Sequence, residues 1–104
     1  MGEEQLQAVM GLIVNAGNAK SDAMEAIHAA KEGNFALADE KIKIAEQSLV
    51  EAHHSQTGLL QEEARGNSME INLLTIHSQD HLMTSITFND LAKEIIEVYK
   101  KLAD

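Results

Sequence analysis

The chain is predicted to be all-α, an antiparallel bundle of three long helices. Proline is absent, the aromatics are one tyrosine and two phenylalanines, and apolar residues recur three and four apart along three runs separated by short glycine-bearing breaks. A length of 104 residues is that of one domain, 1–104. The 17 acidic residues outnumber the 8 basic ones, giving a formal charge of -9 that argues against nucleic acid and anionic membrane surfaces as partners and suits a basic protein. With no cysteine, disulfides, thiolate metal sites and a cysteine nucleophile are excluded. Met1-Gly2-Glu3-Glu4-Gln5 lacks the features of a secretory signal, and no apolar run approaches the roughly 18 residues of a membrane span, so a cytoplasmic protein without membrane insertion is expected.

The first helix is expected over 4–32, with Leu6, Val9, Met10, Ile13, Ala16, Gly17, Ala19, Ala23, Met24, Ile27 and Ala30 at helical spacing. Gly17 costs about 1 kcal/mol of helix propensity relative to alanine, which points to close packing at that level. Gly33 then offers a left-handed C′ position, and Asn34 offers a side-chain cap for the next helix. The second helix, 35–63, has the clearest stripe: Phe35, Ala38, Ile42, Ala45, Leu49, Ala52, Gln56 and Leu59, with His53 at its edge. Residues 62–67 read as a polar loop, and Ser68 is expected to cap a third helix over 69–102, with Glu70 against its dipole.

That third helix carries two seams. One contains Leu74, Ser78, His81, Ser85, Phe88, Ala92, Ile95, Tyr99 and Leu102; the other contains Leu73, Ile76, Asp80, Met83, Thr87, Leu91 and Val98. One seam closes the bundle, and the other then needs a partner. Helices of this length span about 45 Å and enclose little interior, so covering the second seam with further copies of the chain would bury useful apolar area.

Chemistry concentrates in residues 76–84 of this helix. His77 and His81 are four apart and His77 and Asp80 three apart, so all three project to neighbouring parts of one side. An imidazole is a good nucleophile near neutral pH, and attack on phosphorus gives a phosphohistidine able to pass its group onward. Such a site needs one exposed ring nitrogen, a partner for the other, and donors for the phosphoryl oxygens; Ser78, Gln79, His81 and Thr84 are nearby. A histidine on a helix is more often a surface or core residue without chemistry, and spacing alone does not decide. Asp80 is more telling, because an unpaired carboxylate within an apolar seam costs several kcal/mol. A cap from a neighbouring helix would satisfy it; so would a symmetry axis, where several copies converge on a bound cation.

His77-Ser78-Gln79-Asp80-His81-Leu82-Met83-Thr84 closely resembles the His-Ala-Gln-Asp-His-Leu-Met-Thr signature of the lactose/cellobiose-type IIA components of the bacterial sugar phosphotransferase system. Residues 9–17 resemble the opening helix of that family, and Glu51-Ala52-His53-His54-Ser55-Gln56-Thr57 resembles its Glu-Ala-His-x-x-Gln-Thr segment. Ser78 stands where alanine is common, and His54 is a second variable position. The resemblance implies a cytoplasmic homotrimer of three-helix subunits that takes a phosphoryl group from the histidine-containing phosphocarrier protein and gives it to the IIB component during uptake of lactose or a β-linked disaccharide such as cellobiose or chitobiose. It makes the protein a carrier more than a catalyst in the ordinary sense. It also implies that His77 is the phosphorylated residue and Asp80 the ligand of a divalent cation, Mg²⁺ as first choice, on the trimer axis; His81, Gln79, His53 and Gln56 are the candidates for the surrounding shell.

Three other readings compete. Glu25-x-x-His28 and Glu51-x-x-His54 match the Glu-x-x-His element of di-metal helical bundles, although Glu25 shares a solvated side with Asn18 and Asp22. His77, His81 and His53 form an incomplete zinc set without a clear fourth ligand. A purely structural adaptor explains the stripes and the charge but leaves Asp80 unaccounted for.

Overall fold

The fold is that of a computed structural model, which describes residues 2–104; Met1, the first position of the expected 1–104 domain, lies outside the described residues. Three helices account for nearly all of them, α1 (Glu3–Lys31), α2 (Phe35–Ala64) and α3 (Leu73–Ala103), with no strand among the described residues. The order is up-down-up. Glu25 late in α1 pairs with Lys41 early in α2 at 2.9 Å, and Lys100 late in α3 reaches back to Asp39 at 3.1 Å. The result is a rod of 55 × 20 × 20 Å. No described helix is long and apolar enough to cross a membrane.

The turn between α1 and α2 forms as predicted: Gly33 adopts φ 83°, and the Asn34 side chain accepts from the Leu37 N–H at 3.2 Å. The start of α3 differs. Residues 67–72 are not helical, and Ser68 is not the cap. Asn72 takes that role in a reciprocal pair, donating from its N–H to Thr75 Oγ1 at 2.9 Å while its Oδ1 accepts from Thr75 N–H at 3.0 Å. Both end groups of the backbone are satisfied four residues later than Ser68 would have allowed.

The core is built mainly of alanine. Val9, Leu12, Ala16, Ala19, Ala23, Ala26 and Ala30 of α1 run in strict three-four spacing and are buried. They meet Ala38, Ala45, Leu49 and Ala52 of α2. Leu6, Met10 and Met24, expected in the first stripe, are exposed instead, because the buried stripe is centred on Leu12 and Ala19, about 120–180° around the helix from them. Small side chains on facing helices let the axes come close, and α1 packs along both α2 and α3 while α2 and α3 meet least.

Helix α3 turns inward a face that keeps Ser78, Ser85 and Ala92 of the predicted seam and departs from it elsewhere. Its buried positions are Thr75, Ser78, Leu82, Ser85, Asn89, Ala92 and Ile96, a three-four register that is more than half polar. Ser85 Oγ and Asn89 Oδ1 are buried there without a hydrogen-bond partner in the chain. Ile95 and Leu102, assigned to the inner seam from the sequence, are exposed. The second seam emerges at the surface as expected: Leu73 is 82% exposed, Ile76 53%, Met83 52%, Leu91 58% and Val98 56%. An isolated rod would therefore hide the less apolar face of α3 and wet the more apolar one.

If Asn72 is the cap, Asn72→Ala should lower the unfolding free energy by about 1 kcal/mol in urea titrations, while Ser68→Ala should stay within about 0.5 kcal/mol of the parent. Equal losses at the two positions would place the helix start wrongly.

Candidate functional site

His77 lies in the second turn of α3, close to the end capped by Asn72, where the helix is rigidly started. Its side chain is 54% exposed, and its Nδ1 sits 3.3 Å from Oδ1 of Asp80, one turn along. The ring of His81 stacks on it, with centroids 5.3 Å apart and planes 29° from parallel. His81 itself is half-buried and faces α1, where its Nε2 lies 3.3 Å from the place a β-carbon on Gly17 would occupy. Close packing at Gly17, anticipated from its place in mid-helix, is thus packing of an imidazole and not of another helix backbone.

Asp80 stands on the ridge between two flanks of α3. On the α1 flank are His77 and His81; on the α2 flank Gln79 accepts at Oε1 from Nε2 of Gln56 at 2.8 Å. Gln79 also donates to Ser78 Oγ at 3.3 Å, and Gln56 approaches the Met83 sulfur at 3.9 Å. His53 is on α2, exposed, and lines an open groove with Leu49, Ile86 and Asn89. Of the four expected neighbours of His77, then, a single chain places His81 against it and carries Gln79, Gln56 and His53 on the opposite flank.

Two other expected donors are engaged. The Ser78 hydroxyl is buried and donates to the Thr75 carbonyl at 2.6 Å, which explains how serine is accommodated where alanine would fit. Thr84 Oγ1 donates to the Asp80 carbonyl at 2.8 Å. Neither is presented to a phosphoryl group at His77. The Glu-x-x-His rivals fare poorly, since Glu25 is paired with Lys41, and among the described residues no three His, Asp or Glu side chains gather closely enough to hold a metal ion. The same applies to a zinc set of His53, His77 and His81. A cation at Asp80 would need carboxylates from other copies.

The site is thus an exposed imidazole with one nitrogen turned toward a carboxylate, on a helix that presents an uncovered apolar ridge. The family model for the lactose/cellobiose-specific IIA subunit of the phosphotransferase system (PTS) matches residues 7–100, and the chain belongs to that family. It is 47% identical over 104 residues to the lichenan-specific phosphotransferase enzyme IIA component of Bacillus subtilis, covering 100% of this chain and 94% of that protein. To the N,N'-diacetylchitobiose-specific EIIA component of Escherichia coli K12 it is 43% identical over 100 residues, covering 96% and 86%. The crystal structure of the PTS cellobiose-specific enzyme IIA from Bacillus anthracis superposes with a TM-score of 0.95 at 51% identity, over 99% of this chain and 94% of that one. The E. coli IIA(chitobiose) solved in complex with HPr gives a TM-score of 0.85 at 41% identity, over 99% and 100%.

The Gln56–Gln79 bond ties α2 to the helix bearing His77 where those two helices otherwise touch little. Single and double alanine variants at these positions should show a coupling energy of about 0.5–1.5 kcal/mol in urea unfolding. Strictly additive losses would mean that the two amides do not pair in solution.

Proposed function

We propose that this chain relays phosphoryl groups through His77, receiving them from HPr, the histidine-containing phosphocarrier protein, and delivering them to a IIB component. The observation that carries this reading is the His77 ring itself: more than half exposed, with Nδ1 directed at Asp80, so that Nε2 is the nitrogen open to a partner. The Nε2 lone pair attacks phosphorus on the donor's phosphohistidine, the donor N–P bond breaks as the new one forms, and the donor nitrogen keeps the released electron pair. The Asp80 carboxylate, 3.3 Å from Nδ1, favours the proton on that nitrogen and the positive charge that develops on the ring. A second, identical exchange with the acceptor returns the imidazole to its starting state. The family membership and the relative solved with HPr support the donor, and the net charge of -9 suits a basic docking surface.

The sugar served is one of the β-linked class, in keeping with relatives named for cellobiose, lichenan, lactose and diacetylchitobiose. The carrier is a homotrimer built on the outer face of α3. Covering Leu73, Ile76, Met83, Leu91 and Val98 contributes on the order of 1 kcal/mol per half-exposed side chain. It also brings three copies of Asp80 toward one axis, where like charges are relieved by a divalent cation with oxygen ligands such as Mg²⁺. Around a three-fold axis the α1 flank of each copy meets the α2 flank of the next, so Gln79 and Gln56 belong beside a neighbour's His77.

Incubation with phosphoenolpyruvate, enzyme I and HPr should add one phosphoryl group per chain by intact-mass measurement, labile in acid, and His77→Ala should abolish it. Phosphorus-coupled imidazole NMR should place the group on Nε2. An unmodified wild-type chain, or a modified His77→Ala variant, would remove the basis for this function.

A further inference from the structure

Helical glycines are not equivalent in this protein. A β-carbon added at Gly11 or Gly58 would meet nothing within 4 Å, whereas at Gly17 it would come within 3.3 Å of His81 Nε2. That separation is tighter than ordinary van der Waals contact, so the ring would have to give way. What holds the ring is packing alone. Among the described residues the contacts recorded for the His81 imidazole are this approach to α1 and the stack on His77, and it takes part in no hydrogen bond there. His81 is therefore a spacer with α1 behind it and the exposed ring of His77 in front. A displacement of the His81 ring at Gly17 reaches the ring it stacks on, that of His77, whose centroid is 5.3 Å away.

We propose that Gly17 is a positioning residue for His77: by lacking a side chain it seats His81 against α1, and His81 in turn sets the plane from which His77 presents Nε2. This rests on the carrier reading and deepens it, adding a residue of α1 to the α3 residues grouped around His77 within one chain. In-line exchange between two imidazoles depends on the angle of approach, and misplacement on the scale of an ångström costs rates of up to about a hundredfold. A shift of a few tenths of an ångström is expected to cost about tenfold. Stability should move the other way, since alanine is the better helix former.

The test compares Gly17→Ala, His81→Ala and the double variant, with Gly11→Ala as a control, by rate of phosphoryl acceptance from HPr and by imidazole NMR of His77. Gly17→Ala should accept about tenfold more slowly with an unlowered thermal midpoint and shifted His77 ring resonances. Gly11→Ala should match the parent in all three. In the His81→Ala background, which frees the space, Gly17→Ala should cause no further loss; that double variant also serves if Gly17→Ala alone fails to fold. Parent-like rate and ring resonances in Gly17→Ala would overturn the proposal, as would an undiminished loss on the His81→Ala background. Should the parent chain accept no phosphoryl group, the carrier reading falls on that result alone, and the His77 resonances still decide whether Gly17 seats the pair.

Discussion

Helix α3 has two faces in three-four register, and the one it buries inside its own chain is the more polar. Thr75, Ser78, Ser85 and Asn89 point inward, with two of their oxygens unpaired, while Leu73, Ile76, Met83, Leu91 and Val98 point out. This inversion of the usual arrangement is what the remaining features depend on. Within the chain, alanine-rich surfaces of α1 and α2 need only a slim helix to pack against, and serine serves almost as well as alanine there. Leu82 and Ile96 apart, the larger aliphatic side chains of α3 are left wholly or partly uncovered by the chain's own helices.

The position of His77 follows from that division. It sits neither on the ridge, where a second copy would cover it, nor on the inner face, where its own chain would. It lies on the shoulder between them, on the α1 side, accessible yet flanked by Asp80 from the ridge and His81 from the interior. One helix thus supplies the proposed nucleophile, the carboxylate facing its inner nitrogen and the imidazole stacked on it. Three residues within little more than one turn can do this because i, i+3 and i, i+4 neighbours lie side by side on a helix. Gly17 of α1 lies behind His81, where a β-carbon would come within 3.3 Å of its Nε2.

Much of the fold was legible because helical periodicity is a strong signal in a chain without proline. The three runs, the Gly33–Asn34 turn and the α2 stripe through Ala38, Ala45, Leu49 and Ala52 all appear where the pattern places them. The outer seam was legible too, since its side chains are large and apolar. The inner face of α3 was legible in part: Ser78, Ser85 and Ala92 fell in the predicted seam, but Thr75 and Asn89 do not register on any hydrophobic scale, so Ile95 and Leu102 were drawn into their place. The start of α3 was missed because Asn72-x-x-Thr75 pairs a cap with threonine where the familiar box has glutamate or glutamine, and Ser68 offered a plainer signal. At the site, spacing correctly grouped His77, Asp80 and His81, but it could not say which flank Gln79, Gln56 and His53 occupy. That depends on which neighbour each flank of α3 meets, a tertiary fact with no one-dimensional trace. Gly17 was visible as an anomaly in mid-helix, though not as the seat of an imidazole.

Whether the outer face of α3 is covered by copies of the same chain is tested most directly by sedimentation equilibrium of the unmodified protein. The predicted result is a single species of three times the 11.4 kDa chain mass, persisting to low micromolar concentration. A single species at the mass of one chain would contradict it, because Leu73, Ile76, Met83, Leu91 and Val98 would then face water together with nothing to offset the apolar area.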